Sequence, residues 1–548
     1  MKKLPYILIC FFVLIGSASA TTYYICESAT DCNAGDGSGW GTGSDSANGT
    51  AKATPWATFS KANAEVSGDD IVVVGDGTYE ESYNAAAMIH ITADGSDGHW
   101  ITYKAENKYG AILDATGVSG EDSMYAFFID EASYVRFEDF HIQNVIGGYT
   151  IFNNGAPGHV YIYRNKMHDL HFVGVIVNEQ GSEYTTIDSC LFYNIEYGDY
   201  AENDWNRYTH NHAMYLKGKY NLAINNIIYD NFGGFAIKID GYDNASEFVG
   251  AEWTHRIINN VFHGFTGTAW QSGMIDFYNS SGTYTSYNVS IENNVFLDPP
   301  DGKGGIIGIQ VGLANNTCTN SSHWDPDTLS INNNAINKSI LLRDCLNQYV
   351  SSYANNATSI VANNNLTDYA SHDYTLLPIG SDLIDKGLAT NAPDLDFNGT
   401  ARPIGAADDI GAYERQAGPI ISLTSPIGLQ ACGYSGVITV ESTLNSNCNY
   451  EDSATGSCSD DYTSLGVGGD PFTGGEAGTT HTVTVANTCD TSTTYIVICE
   501  DSSTAEDSNC IEVNMNIAAE TGSPQPTPVS IVGGGSAGIV GGGNVTMY

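Results

Sequence analysis

The stretch Ile258-Asn259-Asn260-Val261-Phe262 is one copy of a phrase that recurs along the middle of the chain. Two asparagines followed by an apolar pair also occur in Ile224-Asn225-Asn226-Ile227-Ile228, Glu292-Asn293-Asn294-Val295-Phe296 and Asn332-Asn333-Asn334-Ala335-Ile336. The second asparagines align as Asn226, Asn260, Asn294, Asn334 and Asn364, at steps of 34, 34, 40 and 30 residues, with Asn165 upstream. A self-similar period in this range is typical of a solenoid. Because a buried Asn at each corner can hydrogen-bond the backbone and the next coil, the phrase predicts a parallel β-helix.

A second strand of the coil repeats as well. Ala213-Met214-Tyr215-Leu216-Lys217-Gly218 matches Ala236-Ile237-Lys238-Ile239-Asp240-Gly241 at an offset of 23 residues. Strands of neighbouring coils lie about 4.8 Å apart, so the offset predicts Tyr215 next to Lys238 and Lys217 next to Asp240. The longer steps predict inserted loops, which are where binding residues concentrate on a rigid scaffold. The largest of these loops are expected at 198–211, 242–254, 264–288 and 312–328.

Residues 1–20 have the pattern of a secretory signal. Lys2 and Lys3 precede an apolar run from Ile7 to Ile15, and Ala18-Ser19-Ala20 is a cleavage motif, so we expect the mature chain to begin at Thr21. No later stretch is apolar for long enough to predict a transmembrane segment. We therefore expect a secreted or cell-surface protein that acts as a monomer.

The charge balance limits the partners of the chain. Asp and Glu number 63 against 20 Lys and Arg, which gives a formal net charge of −43. Such acidity excludes a nucleic-acid partner, since nucleic acids are bound through Lys and Arg at their phosphates. It also disfavours broad electrostatic capture of an acidic polysaccharide, so such a ligand would need a local basic groove or bound Ca²⁺.

The cysteines divide into groups along the chain. Cys26 and Cys32 are close enough in sequence to pair, and six more cysteines lie between 432 and 510. Disulfides suit an exported protein, although the connectivity does not follow from the sequence. Cys190 differs from the others, because in Ile187-Asp188-Ser189-Cys190-Leu191-Phe192 it stands at the position of the column asparagine. We therefore expect Cys190 to be a buried, unpaired thiol.

The N-terminal part of the chain supplies a family resemblance. Its distinguishing stretches are Thr54-Pro55-Trp56-Ala57-Thr58-Phe59-Ser60-Lys61-Ala62, Gly68-Asp69-Asp70-Ile71-Val72-Val73-Val74, Gly77-Thr78-Tyr79 and Gly98-His99-Trp100-Ile101-Thr102-Tyr103-Lys104-Ala105. The first stretch predicts a short amphipathic helix that covers the open end of the solenoid, and the valines predict a buried parallel strand. Together, residues 54–114 resemble the opening segment of secreted pectate-lyase-like β-helix proteins, a type shared with chondroitinase-B-like lyases. The resemblance implies a right-handed parallel β-helix and an extracellular polysaccharide as ligand.

Three further parts are expected after a β-helix that spans 21–375. Residues 376–415 contain Leu383-Ile384-Asp385-Lys386-Gly387, Asp394-Leu395-Asp396-Phe397-Asn398-Gly399, Arg402-Pro403 and Asp409-Ile410-Gly411-Ala412-Tyr413-Glu414. This segment resembles the choice-of-anchor module that follows bacterial surface β-helices, which implies a cell-surface or secreted setting. Residues 418–519 alternate polar and apolar positions and predict a cysteine-rich, Ig-like β-sandwich. Residues 520–548 are rich in Pro and Gly and are typical of a tail.

The strongest candidate for chemistry lies between 199 and 243. β-Elimination on a uronate needs a base for the proton next to the carboxylate, a cation for the enolate and a donor for the leaving oxygen. We assign the base to Tyr215 or Lys238 and charge stabilisation to Arg207 and His210. The catalytic candidates also include His212 and Lys217, and the substrate-binding candidates are Trp205, Tyr208, Asp240 and Asp243.

Other interpretations of these residues stay open. Extending the alignment one coil back places Glu179 beside Lys217, so Glu179, Lys217 and Asp240 would form a structural ladder of alternating charge. A glycoside hydrolase would use paired carboxylates instead, with Asp240 and Asp243 as one such pair. A non-catalytic adhesin or glycan-binding protein is the alternative from another functional class.

One further motif suggests a metal ion. Asp394, Asp396 and Asn398 precede Gly399 at alternate positions, as in the opening of a calcium-binding loop. The twelfth position is Gly405 rather than Glu, which excludes an EF-hand. The motif therefore predicts either a structural Ca²⁺ site or an Asp/Asn/Gly turn.

Overall fold

The computed structural model describes most of the β-helix and the strands of the C-terminal part. In the β-helix it describes residues 20–36, 39–84, 87–116, 124–152, 158–178, 182–195, 212–218, 220–231, 235–241, 255–264, 273–279, 289–298, 307–310, 329–337, 350–358, 360–362 and 365–377. Beyond these it describes 381–389, 391–415, 421–425, 435–452, 470–471, 478–486, 493–501, 511–515 and 531–533. The predicted signal and almost all of the predicted tail lie outside these ranges.

Three parallel sheets carry the fold, and successive coils contribute strands to sheets A, B and C in turn, although the last described coils have no sheet C strand. Sheet A is built from β1 (Thr22–Ile25), β2 (Ile71–Val74), β5 (Ile101–Ala105), β8 (Val135–Glu138), β11 (Val160–Tyr163), β14 (Thr186–Asp188), β17 (Asn221–Ile224), β20 (His255–Ile258), β23 (Val289–Glu292), β26 (Leu329–Asn332) and β28 (Val350–Ala354). Sheet B is built from β3 (Gly77–Tyr79), β6 (Ala111–Asp114), β9 (His141–Gln143), β12 (Lys166–Leu170), β15 (Leu191–Ile195), β18 (Ile227–Tyr229), β21 (Val261–His263), β24 (Val295–Leu297), β27 (Ala335–Ile336) and β29 (Ala357–Thr358).

Sheet C is shorter and completes the coils. It is built from β4 (Ala87–Ile91), β7 (Tyr125–Asp130), β10 (Gly147–Phe152), β13 (Val173–Val177), β16 (His212–Leu216), β19 (Phe235–Gly241), β22 (Gly273–Asn279) and β25 (Ile307–Gln310). Every strand of the three sheets pairs in parallel with the strand one coil away, and parallel crossovers are right-handed, so the chain is a right-handed parallel β-helix, as predicted.

The N-terminal end of the solenoid is closed by helix α2 (Phe59–Glu65). Its N-cap is Thr58, whose side chain accepts the backbone N–H of Lys61. The Phe59 ring packs edge-on against Phe127, at 5.9 Å between ring centroids, and is fully buried. This confirms the predicted capping helix. A second helix, α1 (Ala29–Asp36), contains Cys32, which is disulfide-bonded to Cys26 as predicted.

The corner between sheets A and B is held by the predicted column of asparagines. The backbone N–H of Asn226 donates to Oδ1 of Asn260 at 2.8 Å, and the N–H of Asn260 donates to Asn294 at 2.9 Å. Asn294 and Asn334 continue the same pattern. Each carboxamide therefore satisfies the buried N–H of the coil before it, which would otherwise be costly in the interior.

The column departs from a simple run of asparagines at Cys190 and at its last member. Cys190 is a buried free thiol in the column, and its N–H donates to Asn226 Oδ1 at 2.9 Å, as predicted. The last member was predicted wrongly: the N–H of Asn334 donates to Asn356 at 3.0 Å, while Asn364 lies outside the described residues. The final step is thus 22 residues, because that coil has no large insert.

The first asparagine of each phrase faces outward and binds the segment 381–415. Asn225, Asn259, Asn293 and Asn333 all have a left-handed backbone, with φ between 53° and 58°. Their Nδ2 groups donate to backbone carbonyls of the segment, including Leu395 at 2.7 Å. The segment therefore covers the A–B corner of the later coils. The structure does not test its resemblance to a choice-of-anchor module.

The rest of the chain is antiparallel. A hairpin of β30 (Leu366–Asp368) and β31 (Asp373–Leu376) precedes segment 381–415. The C-terminal strands are β32 (Ile421–Ser425), β33 (Ser435–Asp452), β34 (Asp470–Pro471), β35 (Gly478–Ala486), β36 (Thr493–Asp501), β37 (Ile511–Met515) and β38 (Ile531–Gly533). β33 pairs with β32, β34, β35 and β36, and β37 and β38 extend the sheet beyond β36. A Cys448–Cys499 disulfide links β33 to β36. The sandwich arrangement stays a prediction.

No helix within the described ranges combines the length and the apolar character that a membrane crossing requires.

Candidate functional site

The outward face of sheet C carries the candidate site. Side chains alternate along β16 and β19, so Met214, Leu216 and Ile237 pack into the core while Tyr215 and Lys238 point outward. Cα pairing places Tyr215 directly opposite Lys238, which confirms the predicted register. In the preceding coils the same row is occupied by Phe128, Thr150 and Ile176.

Tyr215 lies between two ammonium groups. The Nζ atom of Lys217 is 4.9 Å from the centroid of the Tyr215 ring, and that of Lys238 is 5.1 Å away. Lys238 is only 6% exposed, so its charge acts in a medium of lower dielectric than water. Both distances are measured to the ring centroid, so the two contacts are cation–π contacts.

His212 is placed differently from the prediction. It is completely buried, and its Nδ1 accepts the backbone N–H of Phe235 at 2.9 Å. Its ring stacks on Phe235, with the centroids 5.8 Å apart. These contacts join β16 to β19, and the buried His212 ring also lies 5.6 Å from the Tyr215 ring, so His212 supports the strand that carries Tyr215.

The predicted charge ladder needs one correction. Val177 pairs with Leu216, which sets an offset of 39 residues and places Asn178 beside Lys217. The prediction placed Glu179 there and was one residue out, because the long insert before β16 hides the true offset. Asp240 does follow Lys217 in the next coil by extension of the observed register, since Leu216 pairs with Ile239. Alternating charge is therefore not continued on the N-terminal side of Lys217.

Several predicted residues lie outside the described ranges. They are Trp205, Arg207, Tyr208 and His210 in the connection that enters β16, and Asp243 in the connection that leaves β19. Their roles stay predictions. The backbone of Asp240 lies in β19, paired with Tyr278.

Sequence reasoning missed an aromatic group on the same face of sheet C. The His90 ring lies 5.2 Å from Phe128 and 4.3 Å from Tyr83, measured between centroids. Its Nε2 atom is 2.9 Å from Asp130 Oδ2. No sequence spacing marks this group, because strand stacking alone brings its members together.

The candidate calcium residues form a turn. Asp396 is 2% exposed, and its carboxylate accepts the backbone N–H groups of Asn398, Thr400 and Glu414. Among the described residues no group of three His, Cys, Asp or Glu side chains is arranged to hold a metal ion. These three N–H donors account for the turn, and a bound Ca²⁺ stays a prediction.

A second tyrosine between two lysines lies at the A–B corner. Tyr109 has the Nζ atoms of Lys108 and Lys166 at 5.1 and 5.3 Å from its ring centroid. Nearby, an Arg164 guanidinium nitrogen contacts Asp139 at 2.6 Å. This cluster was also missed, although five basic residues fall between 104 and 166.

Comparison with known proteins gives structural neighbours only. No protein-family model matches the sequence, and no curated protein sequence matches it. The solved structure of pectate lyase Pel9A is similar at a TM-score of 0.43 and 19% identity, over 73% of this chain and 98% of that one. A rhamnogalacturonan lyase is similar at 0.40 and 15% identity, over 66% and 96%. An alginate lyase from Paenibacillus sp. str. FPU-7 is similar at 0.35 and 17% identity, over 54% and 91%.

Proposed function

We propose that the outward face of sheet C cleaves a uronate-containing extracellular polysaccharide by β-elimination. The observation that carries this proposal is the Tyr215 phenol between the ammonium groups of Lys217 and Lys238. In a chain of net charge −43, two ammonium groups near one phenol ring are a local concentration of positive charge. We therefore assign a carboxylated sugar as the substrate class.

The chemistry assigned to the site balances without a cofactor. The ionised Tyr215 oxygen takes the proton on the carbon next to the carboxylate, and the C–H electron pair forms an enolate. The two ammonium groups bind the carboxylate and stabilise that negative charge. The C4–O bond then breaks, a C4–C5 double bond forms, and the leaving oxygen takes the proton back from Tyr215.

Lys238 is the other group able to act as base. In that arrangement its neutral amine takes the proton, and Lys217 alone stabilises the carboxylate. The two assignments differ in what a phenylalanine at 215 would do, because Phe keeps the ring between the lysines and loses only the oxygen.

The test follows the ultraviolet absorbance of new unsaturated ends on polygalacturonate, alginate and a glycosaminoglycan, together with a reducing-end assay. We expect absorbance and reducing ends to rise together on one uronate polymer and to fail together in Tyr215→Phe. Reducing ends without absorbance would identify a hydrolase. Binding without either signal would identify a non-catalytic glycan-binding protein, and both outcomes would overturn the proposal.

A further inference from the structure

A basic strip crosses sheet A and the A–B corner of the N-terminal coils. We define the basic strip as Lys104, Lys108, Arg136, Arg164 and Lys166. These are five of the 20 basic residues in a chain with 63 acidic ones. Lys104 pairs with Glu138 across β5 and β8, next to Arg136 on the same strand. The strip therefore spans three neighbouring coils, which are two strand spacings of about 4.8 Å each.

Aromatic rings hold the two guanidinium groups of the strip. The Arg136 Cζ atom lies 4.6 Å from the Tyr161 centroid and 5.0 Å from that of Tyr163. Arg164 Cζ lies 4.6 Å from Tyr163 on the same face. Each guanidinium group also pairs with a carboxylate, Arg136 with Glu138 and Arg164 with Asp139, while the two arginine side chains remain 35% and 33% exposed.

The lysines of the strip differ from other lysines of the chain. Lys52 and Lys61 each contact a glutamate oxygen at 2.5 Å. Within the described residues, no carboxylate oxygen lies within 4.0 Å of Lys108 or Lys166, whose ammonium groups contact only aromatic rings. Unpaired cations are unexpected where acidic residues are in threefold excess.

The strip also carries internal repulsion. Burial of the ammonium group, followed by the nearby Arg164 charge, lowers the pKa of Lys108, although the side chain as a whole reaches solvent. A bound anion would offset both the repulsion and the partial desolvation.

In the later coils, segment 381–415 contacts the same outward face of sheet A. Arg256 occupies the row of Arg136, and it donates to the backbone carbonyl of Asn391 at 2.8 Å. In that region Glu292 is only 3% exposed. Segment 381–415 reaches the strip with Phe397, whose centroid lies 5.3 Å from Lys108 Nζ. At Arg136, which is 35% exposed, the strip therefore continues a row that segment 381–415 contacts at Arg256.

We propose that the basic strip is a second polysaccharide-binding surface, which takes an anionic chain through its carboxylate or sulfate groups. Charge complementarity selects the anion, and the rings of Tyr161 and Tyr163 beside the guanidinium groups suit a sugar. The surface lies on sheet A and its corner with sheet B, whereas Tyr215 lies on sheet C, so binding here does not depend on the proposed cleavage.

The experiment measures binding of polygalacturonate, dextran sulfate and neutral dextran to the full chain at low ionic strength. It uses the Tyr215→Phe background, so cleavage does not interfere. The test variant is Lys108→Gln with Lys166→Gln, and the control, with the same loss of charge, is Lys61→Gln with Lys386→Gln. Two exposed charge contacts predict about fivefold weaker binding in the test variant and no change in the control. Added salt should weaken the wild-type interaction.

The three polymers show whether the bound group is a carboxylate or a sulfate. Binding to polygalacturonate alone assigns the carboxylate, and binding to dextran sulfate alone assigns the sulfate. Equal binding to neutral dextran, equal losses in test and control variants, or no binding to either anionic polymer would each overturn the proposal.

Discussion

The A–B corner and the outward face of sheet C both carry polar side chains in axial rows, but the rows are satisfied differently. At the corner, Asn226, Asn260 and Asn294 are buried, and each accepts hydrogen bonds from the coil before it. On sheet C, the Tyr215 ring lies near the ammonium groups of Lys217 and Lys238. A row of buried polar side chains that hydrogen-bond from coil to coil stabilises the fold. A row whose charged side chains face outward is available for chemistry.

Removing one corner asparagine should have the largest effect on stability. Asn260→Ala leaves the buried N–H of Asn226 without its acceptor and the carbonyl of Ala223 without a donor. We expect the free energy of unfolding of the β-helix to fall by about 3 kcal/mol. Urea denaturation followed by circular dichroism measures this. Tyr215→Phe serves as the matched sheet C variant and should leave the midpoint unchanged, and a comparable loss there would remove the distinction between the two rows.

Removing the ammonium group of Lys238, beside Tyr215, should lower activity rather than stability. Lys238→Met keeps the aliphatic stem and removes the ammonium group that would stabilise the enolate. We expect kcat to fall about a hundredfold, as for loss of one preorganised electrostatic contact. Lys166→Met beside Tyr109 is the control and should leave kcat on short oligosaccharides unchanged. Equal losses in both variants would show that a lysine–tyrosine pair has no site-specific role.

The free energy of unfolding should also depend on pH, because His255 is buried. Burial lowers the pKa of His255 to about 3, so the folded state holds this side chain neutral where the unfolded chain takes up a proton. Between the ordinary His pKa of about 6.5 and pH 4 the unfolded state binds more protons, so stability falls as the pH falls, by up to about 3 kcal/mol. Denaturation midpoints at pH 6.5 and pH 4.5 measure the slope. His255→Gln should flatten it, and an unchanged slope would contradict the assignment.

The smallest effect is expected at Cys190. Its thiol accepts the N–H of Asn165 only at 3.4 Å, a weaker contact than the carboxamides make. Cys190→Ala should therefore cost about 1 kcal/mol, well below Asn260→Ala. A cost equal to that of Asn260→Ala would show that the column depends on packing and not on its hydrogen bonds.

The sequence predicted the features that repeat and missed those that stacking creates. The Asn column and the pairing of Tyr215 with Lys238 followed from short, regular offsets. The offset before β16 was misjudged by one residue because an insert interrupts the phrase. The basic strip was missed because its members are far apart in sequence and meet only through coil stacking. The candidate residues in the inserts, such as Arg207 and His210, lie outside the described residues, so their roles stay predictions. No sequence repeat indicates where they lie.

The central claim is that Tyr215 on sheet C performs β-elimination while the similar Tyr109 at the corner does not. The direct measurement is the rate of unsaturated-end formation by Tyr215→Phe and Tyr109→Phe on the best uronate polymer. Loss of a proton-transferring group predicts a rate lower by about 10²–10⁴-fold for Tyr215→Phe, with Tyr109→Phe at the wild-type rate. Full activity in Tyr215→Phe, or an equal loss in both variants, would contradict the account.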